Sequence, residues 1–147
     1  MKTIILQLKQ DTVNYLHAKY GRCLKEGIIH LPMKSVIYCA VTELVAVSPR
    51  RSFVRPEGNI AFSMPSLRGG DKKIEKYHIV SKENSRWFER EIEAQMRVEL
   101  YRLMLDNFRR GVPYIKTLEE FMLKYHLTNT SEDSFLRDFR RWRKRLL

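Results

Sequence analysis

The chain has 147 residues, of which 44% are hydrophobic and 11% aromatic, enough apolar material for one domain with a core and too much for a disordered chain. No apolar run approaches the roughly 18 residues of a membrane-spanning helix, and the apolar stretch after Lys2 is too short for a signal peptide. With 28 Lys and Arg against 17 Asp and Glu, the formal net charge is +11, which favours a polyanionic partner.

The positive charge is divided between the N-terminal half and the extreme C-terminus. Residues 1–84 carry 14 basic and 7 acidic side chains (+7), residues 85–136 carry 8 and 9 (−1), and residues 137–147 carry 6 and 1 (+5). Together with the hydrophobic patterns described below, this indicates a mixed α/β part, 1–84, with basic loops, and a helical part, 85–147, that ends in a basic amphipathic helix. We expect the two parts to form one compact unit.

Short elements are predicted in the first half. Thr3 to Lys9 is typical of a strand, and Asp11 is the predicted N-cap of a helix that Gly21 ends. Residues 28–31 and 60–64 predict two further strands and 77–80 an extended piece, whereas 48–52, 55–59 and 68–73 are predicted loops. The apolar run 36–47 fits a buried strand by its β-branched content and a buried helix by its length, and Ser35 as a cap favours the helix.

The second half is helical in pattern. From about Ser85 an apolar ladder runs towards Gly111 and Pro113, formed by Phe88, Ile92, Met96, Leu100, Leu103 and Met104. Residues 117–120 read T-x-x-E, which predicts that Thr117 caps a short helix. The buried face of that helix would contain Leu118, Phe121, Met122 and Tyr125. A turn over 126–129, with Leu127 beneath it, then leads to a last helix capped by Thr130 or Ser131.

The last helix combines an apolar face with a basic one. Phe135, Phe139, Trp142 and Leu146 recur at i, i+4, i+7 and i+11, and we expect them to anchor the helix to the body. A short helix, a turn of about four residues and a basic amphipathic helix together resemble a helix-turn-helix, whose second helix enters the major groove of DNA. Arginine suits this role because its planar fork makes two-point contacts with phosphate or guanine. The predicted nucleic-acid-binding residues of this helix are Arg137, Arg140, Arg141, Arg143, Lys144 and Arg145.

A second basic set lies in the loops of the first half. It consists of Arg50, Arg51 and Arg55, with Arg68, Lys72 and Lys73 in the following loop. Gly69 and Gly70 would let the backbone approach a phosphate, although no complete phosphate-binding motif is present. These loops are predicted to widen the footprint on a nucleic acid; solvated loops that are merely basic fit the sequence equally well.

Nothing in the sequence indicates a catalytic or metal site. Cys23 and Cys39 form neither a disulfide framework nor a metal motif, so a cytoplasmic, reducing compartment is the simplest expectation. The four histidines are far apart and lack a partner at ligand spacing. The acids of the long helix, Glu89, Glu91, Glu93 and Glu99, lie among arginines as ion-pair partners do. We therefore predict no enzymatic activity, no metal and no cofactor.

Two segments resemble a known group of proteins. The stretch Tyr15-Leu16-His17-Ala18-Lys19-Tyr20-Gly21 and the ending 121–144, above all Phe139-Arg140-Arg141-Trp142-Arg143-Lys144, are similar to small basic proteins of uncertain function from bacterial mobile or phage-like elements. The order of an opening strand and helix, a middle extended segment and three helices is also similar. The resemblance implies DNA binding and carries over no catalytic residue.

The sequence as a whole predicts an α+β fold whose C-terminal half is helical and ends like a helix-turn-helix. The predicted function is that of a DNA-binding accessory or regulatory protein, with RNA as a related alternative partner. A different hypothesis is an assembly protein that dimerises through the 85–110 helix without nucleic acid, because a chain of this size could leave part of the wide apolar ladder uncovered.

Overall fold

The computed structural model describes residues 2–64 and 76–146. The predicted loop cations Arg68, Lys72 and Lys73 lie outside these residues. The described elements, in chain order, are β1 (Lys2–Leu6), α1 (Gln10–Lys19), a 3₁₀ turn (Gly21–Cys23), β2 (Leu24–Lys25), β3 (Ile28–His30), α2 (Val36–Ala46), β4 (Arg51–Ser52), β5 (Ile60–Met64), β6 (Lys76–His78), α3 (Lys82–Arg109), α4 (Tyr114–Lys124) and α5 (Glu132–Leu146). The predicted α+β class with a helical C-terminal half is confirmed.

The strands form one mixed sheet in the order β2-β3-β5-β1-β6-β4. The central strand β1 pairs antiparallel with β5 and parallel with β6, and β3 pairs parallel with β5. Every residue of β5 is buried, so both faces of the sheet centre are covered and the strand shows no polar alternation. The two-residue strands β2 and β4 form the edges; β4 lies within a segment predicted to be a loop.

The segment before β5 is held tightly against β1. The Asn59 side chain accepts from the Leu8 N–H (2.9 Å) and donates to the Leu8 carbonyl (2.7 Å). At Gly58 an added Cβ would lie 2.5 Å from the Leu6 carbonyl oxygen and 2.6 Å from Cγ2 of Ile5. A side chain at position 58 would therefore displace the strand itself.

Helix α3 is the spine of the main core. Its ladder residues Phe88, Ile92, Met96, Leu100 and Met104 are buried, as predicted. The Phe88 ring meets the Phe62 ring of β5 edge-on at 5.7 Å. Leu103, however, is 42% exposed, so its assignment to the ladder is wrong. The chain itself covers the other five ladder residues, whereas Leu103 and, further along α3, Phe108 (52% exposed) remain accessible.

Residues 36–46 form a helix, α2, as favoured from the sequence. Its burial is one-sided: Ile37, Val41 and Leu44 face the core, whereas Val36 is 69% exposed, so the expectation of burial all round is wrong. The Ser35 hydroxyl donates to the Pro32 carbonyl (2.8 Å) and makes no bond to the helix, so the cap that favoured the correct structure does not act as one.

Two predicted N-caps are wrong. Helix α1 begins at Gln10, so Asp11 lies inside it, and its carboxylate binds a distant turn described below. Helix α4 begins at Tyr114 directly after Pro113, whose fixed φ suits a helix start. Thr117 is therefore a buried residue within α4, and its hydroxyl accepts from the Asn107 side chain (3.1 Å).

Candidate nucleic-acid interface

The turn that leads into α5 is fixed by the buried carboxylate of Asp11. It accepts from the backbone N–H groups of Thr128 (3.1 Å) and Asn129 (3.1 Å), and from the Thr130 hydroxyl (3.0 Å). Ser131 then accepts from the Ser134 N–H (3.1 Å), which confirms Ser131 as the cap of α5. Helix α1 thus sets where the basic helix begins.

The apolar face of α5 docks onto α3 and α4. Phe135 and Phe139 are buried, and the Phe139 ring lies 5.4 Å from Tyr101 of α3 and 4.9 Å from Tyr114 of α4. Trp142 is half-buried beside Tyr101 (5.3 Å). Leu146 is 61% exposed, so the prediction that it anchors the helix is wrong: the body that α5 packs on ends before the last turn.

A polar contact fixes the rotation of α5. Asp138 forms an ion pair with Arg97 of α3 (2.8 Å) and accepts from the Tyr101 hydroxyl (2.5 Å). Burial alone would raise the pKa of Asp138, but the hydrogen bonds from Tyr101 and Arg97 bring it below its ordinary value. The one acid of residues 137–147 is therefore held ionised by groups of another helix.

The six predicted cations of α5 all lie on its exposed surface, and they are called the α5 basic face below: Arg137, Arg140, Arg141, Arg143, Lys144 and Arg145. None of the four ion pairs found within residues 2–64 and 76–146 uses any of them. Arg143 is partly fixed, because it donates to the Tyr114 hydroxyl (3.2 Å) and lies over the Tyr114 ring. Asp138 is near enough to Arg141 for that charge to help lower its pKa.

The connection between α4 and α5 is longer than predicted. It spans residues 125–131, seven residues between Lys124 and Glu132, where the sequence predicted a turn of about four. Leu127 is buried beneath it, as expected. His126 adopts a positive φ of 54°, which turns the chain out of α4. A helix-turn-helix commonly has three to four residues here.

The second basic set lies at one edge of the sheet. Arg50, Arg51 and Arg55 are exposed around β4 and are called the β4 basic edge. The structure also exposes an aromatic residue among them, Phe53, which is not one of the predicted nucleic-acid-binding residues. An aromatic residue between arginines, in a segment bounded by prolines and without amphipathic periodicity, is the signal that could have identified it.

The acids of α3 mostly have partners, although not the ones expected. Glu93 pairs with the Lys9 ammonium (3.2 Å), and Glu89 accepts from the Lys9 N–H (2.7 Å). Glu99 pairs with Lys19 of α1 (3.0 Å) and also accepts from the hydroxyls of Tyr15 and Tyr125. Burial alone would raise the pKa of Glu99, but these hydrogen bonds and the Lys19 charge lower it. Glu89, Glu93 and Glu99 therefore join α3 to α1 and α4, whereas Asp106 pairs with Arg109 of its own helix (3.9 Å).

The described part of the chain offers no grouping of side chains for metal chemistry. Within it, no three His, Cys, Asp or Glu residues lie close enough to hold a metal ion. Cys23 and Cys39 are both free thiols. Among the described helices, none is long and apolar enough to cross a membrane.

In comparisons with protein-family models, with curated proteins and with solved structures, nothing matches the chain.

Proposed function

We propose that the chain is a non-catalytic nucleic-acid-binding protein, accessory or regulatory, whose partner is duplex DNA. It contacts phosphates through the α5 basic face, and the β4 basic edge widens the footprint. The observation that carries the proposal is that residues 137–146 of α5 expose six cations, while the one acid among them, Asp138, is held by Arg97. Glu132 and Asp133 lie in the first turn of α5, so the C-terminal part of the helix keeps a positive excess, which attracts a polyanion.

The anchoring of α5 supports phosphate contact in particular. Phe135 and Phe139 fix one face in the core, and the Asp138 contact fixes the rotation, so the cations stand on a rigid support. Rigid presentation reduces the conformational entropy lost on binding. Insertion of α5 into the major groove is a narrower version of the proposal. The seven-residue connection before α5 gives it less support than the phosphate contact has.

The nature of the partner rests on weaker support. The resemblance to small basic proteins of mobile elements favours DNA, and most aromatic side chains lie in the core, which disfavours an extended RNA-stacking surface. The assembly hypothesis has less support, because five of the six α3 ladder residues are covered within the chain. Duplex DNA is therefore the partner we put first.

The proposal is tested by salt-titrated binding of the whole protein to duplex DNA, single-stranded DNA and RNA. Each phosphate contact on duplex DNA contributes about −0.9 to the slope of log affinity against log salt, so six contacts from α5 would give about −5. Absence of duplex binding at about 50 mM salt, or binding that ignores salt, would contradict the proposal. Sedimentation with and without DNA separates it from the assembly hypothesis, which predicts a defined oligomer that ignores DNA.

A further inference from the structure

Phe53 is exposed without a structural reason. It follows the edge strand β4, and 65% of its surface is accessible to solvent. The Val54 N–H donates to the Ser52 hydroxyl (3.1 Å), a local turn at the end of the strand. Phe53 and Val54 thus project from the sheet edge. Packing in the core therefore does not explain why an aromatic residue stands at position 53.

One cation contacts this ring, and three more lie close to it along the chain. The β4–β6 register pairs Arg51 with His78 and Ser52 with Tyr77, and its continuation places Phe53 opposite Lys76. The Lys76 ammonium lies 5.2 Å from the ring centroid. Arg50, Arg51 and Arg55 lie within three residues of the ring, and residues 48–57 contain three arginines and one acid. An exposed ring set among cations matches a surface that binds bases and phosphates together.

We infer that Phe53 is a stacking site for an unpaired nucleobase, with Arg51, Arg55 and Lys76 contacting the phosphates on either side of it. The inference rests on the proposed function and adds a ligand class, a single-stranded segment, to the β4 basic edge. A base inside a duplex cannot offer its face to the ring, so the site selects unpaired nucleotides. The excess of cations favours this ligand over an added protein strand.

The test compares four variants of the whole protein: Phe53→Ala, Phe53→Leu, Phe53→Tyr and, as the exposed neighbour control, Val54→Ala. Each is titrated with duplex DNA and with a single-stranded oligonucleotide that carries 2-aminopurine, whose emission reports stacking. Unchanged circular dichroism and melting temperature establish that the exposed substitutions leave the fold intact.

We expect Phe53→Ala and Phe53→Leu to weaken single-strand binding by about fivefold or more and to abolish the 2-aminopurine change. Phe53→Tyr and Val54→Ala should behave as wild type, and duplex binding should change less than twofold. Equal single-strand affinity for wild type and Phe53→Ala would overturn the inference while leaving the proposed function standing. If Phe53→Leu keeps the wild-type affinity for the single strand, the ring makes an apolar contact that needs no aromatic face, and the inference is also overturned. The inference is likewise overturned if the Phe53 variants change only the sedimentation of the protein, because the ring then contacts protein. A wild-type protein that binds no nucleic acid would refute both proposals.

Discussion

Removal of the Asp11 carboxylate should destabilise the protein far more than its place in a helix suggests. The side chain is buried and accepts from three donors of the turn before α5, at 3.0–3.1 Å. Charge-assisted hydrogen bonds are worth roughly 1.5–3 kcal/mol each, and three bonds to one carboxylate are not additive. We expect Asp11→Ala to lower the free energy of unfolding by about 3 kcal/mol and Asp11→Asn, which keeps one acceptor, by about 2 kcal/mol.

The assay is urea unfolding followed by circular dichroism, with the melting temperature as a second measure. For a chain of this size 1 kcal/mol shifts the midpoint by about 2–4 °C, so Asp11→Ala should melt about 6–12 °C lower. Glu83→Gln is the matched control, because Glu83 is an exposed acid in the first turn of α3 and carries the helix-dipole effect alone. If Asp11→Ala and Glu83→Gln have the same effect, the carboxylate does not hold the turn.

Three further predictions concern stability. Because the pKa of Glu99 is lowered in the folded protein, its stabilising contribution is present above the ordinary glutamate pKa of about 4.3 and is lost as the pH falls through the folded value. Glu99→Gln should therefore flatten the acid side of a curve of unfolding free energy against pH. An unchanged acid side would contradict this. Gly58→Ala should lower the free energy of unfolding in urea by about 1–3 kcal/mol, because the new Cβ meets the Leu6 carbonyl. An unchanged free energy would mean that the strand shifts at no cost. Phe139→Ala should cost about 3–5 kcal/mol and Leu146→Ala less than about 0.5 kcal/mol, and equal costs would refute the different anchoring of the two residues.

The long elements could be predicted from the sequence because their signal is repeated many times. The apolar ladder of α3 and the apolar face of α5 each recur over several turns. Burial of such a face stabilises the helix independently of the residues at its ends. The strands β1 and β5 are short but rich in apolar residues, which also identified them. The α5 basic face was predicted in full, and the structure leaves all six of its side chains exposed.

The incorrect predictions concern residues whose structure depends on a partner that is distant in the sequence or on the shape of the folded body. Asp11 and Thr117 have the chemistry of caps, but Asp11 binds a turn more than a hundred residues away and Thr117 binds Asn107. The edge strand β4 exists only because β6 pairs with it, so two residues carry no local signal. Leu103 lies to one side of the buried α3 stripe, between Leu100 and Met104, and Leu146 lies beyond the surface that α5 packs on; only the folded body defines these limits.

The central claim, that α5 carries the phosphate contacts, is tested most directly by comparing salt slopes between two triple variants of equal charge. Arg137→Gln, Arg141→Gln and Lys144→Gln together remove three cations of the α5 basic face. The control removes three other exposed cations, Arg22, Lys25 and Lys34, again as glutamine; Lys25 belongs to β2, the sheet edge opposite to β4, and Arg22 and Lys34 lie close in the chain to β2 and β3. We predict that the α5 triple reduces the magnitude of the slope on duplex DNA by up to about 2.7, whereas the control leaves it nearly unchanged. If the salt slope of the α5 triple variant equals that of the control variant, these α5 cations contribute no more than other surface cations do, and the central claim is contradicted.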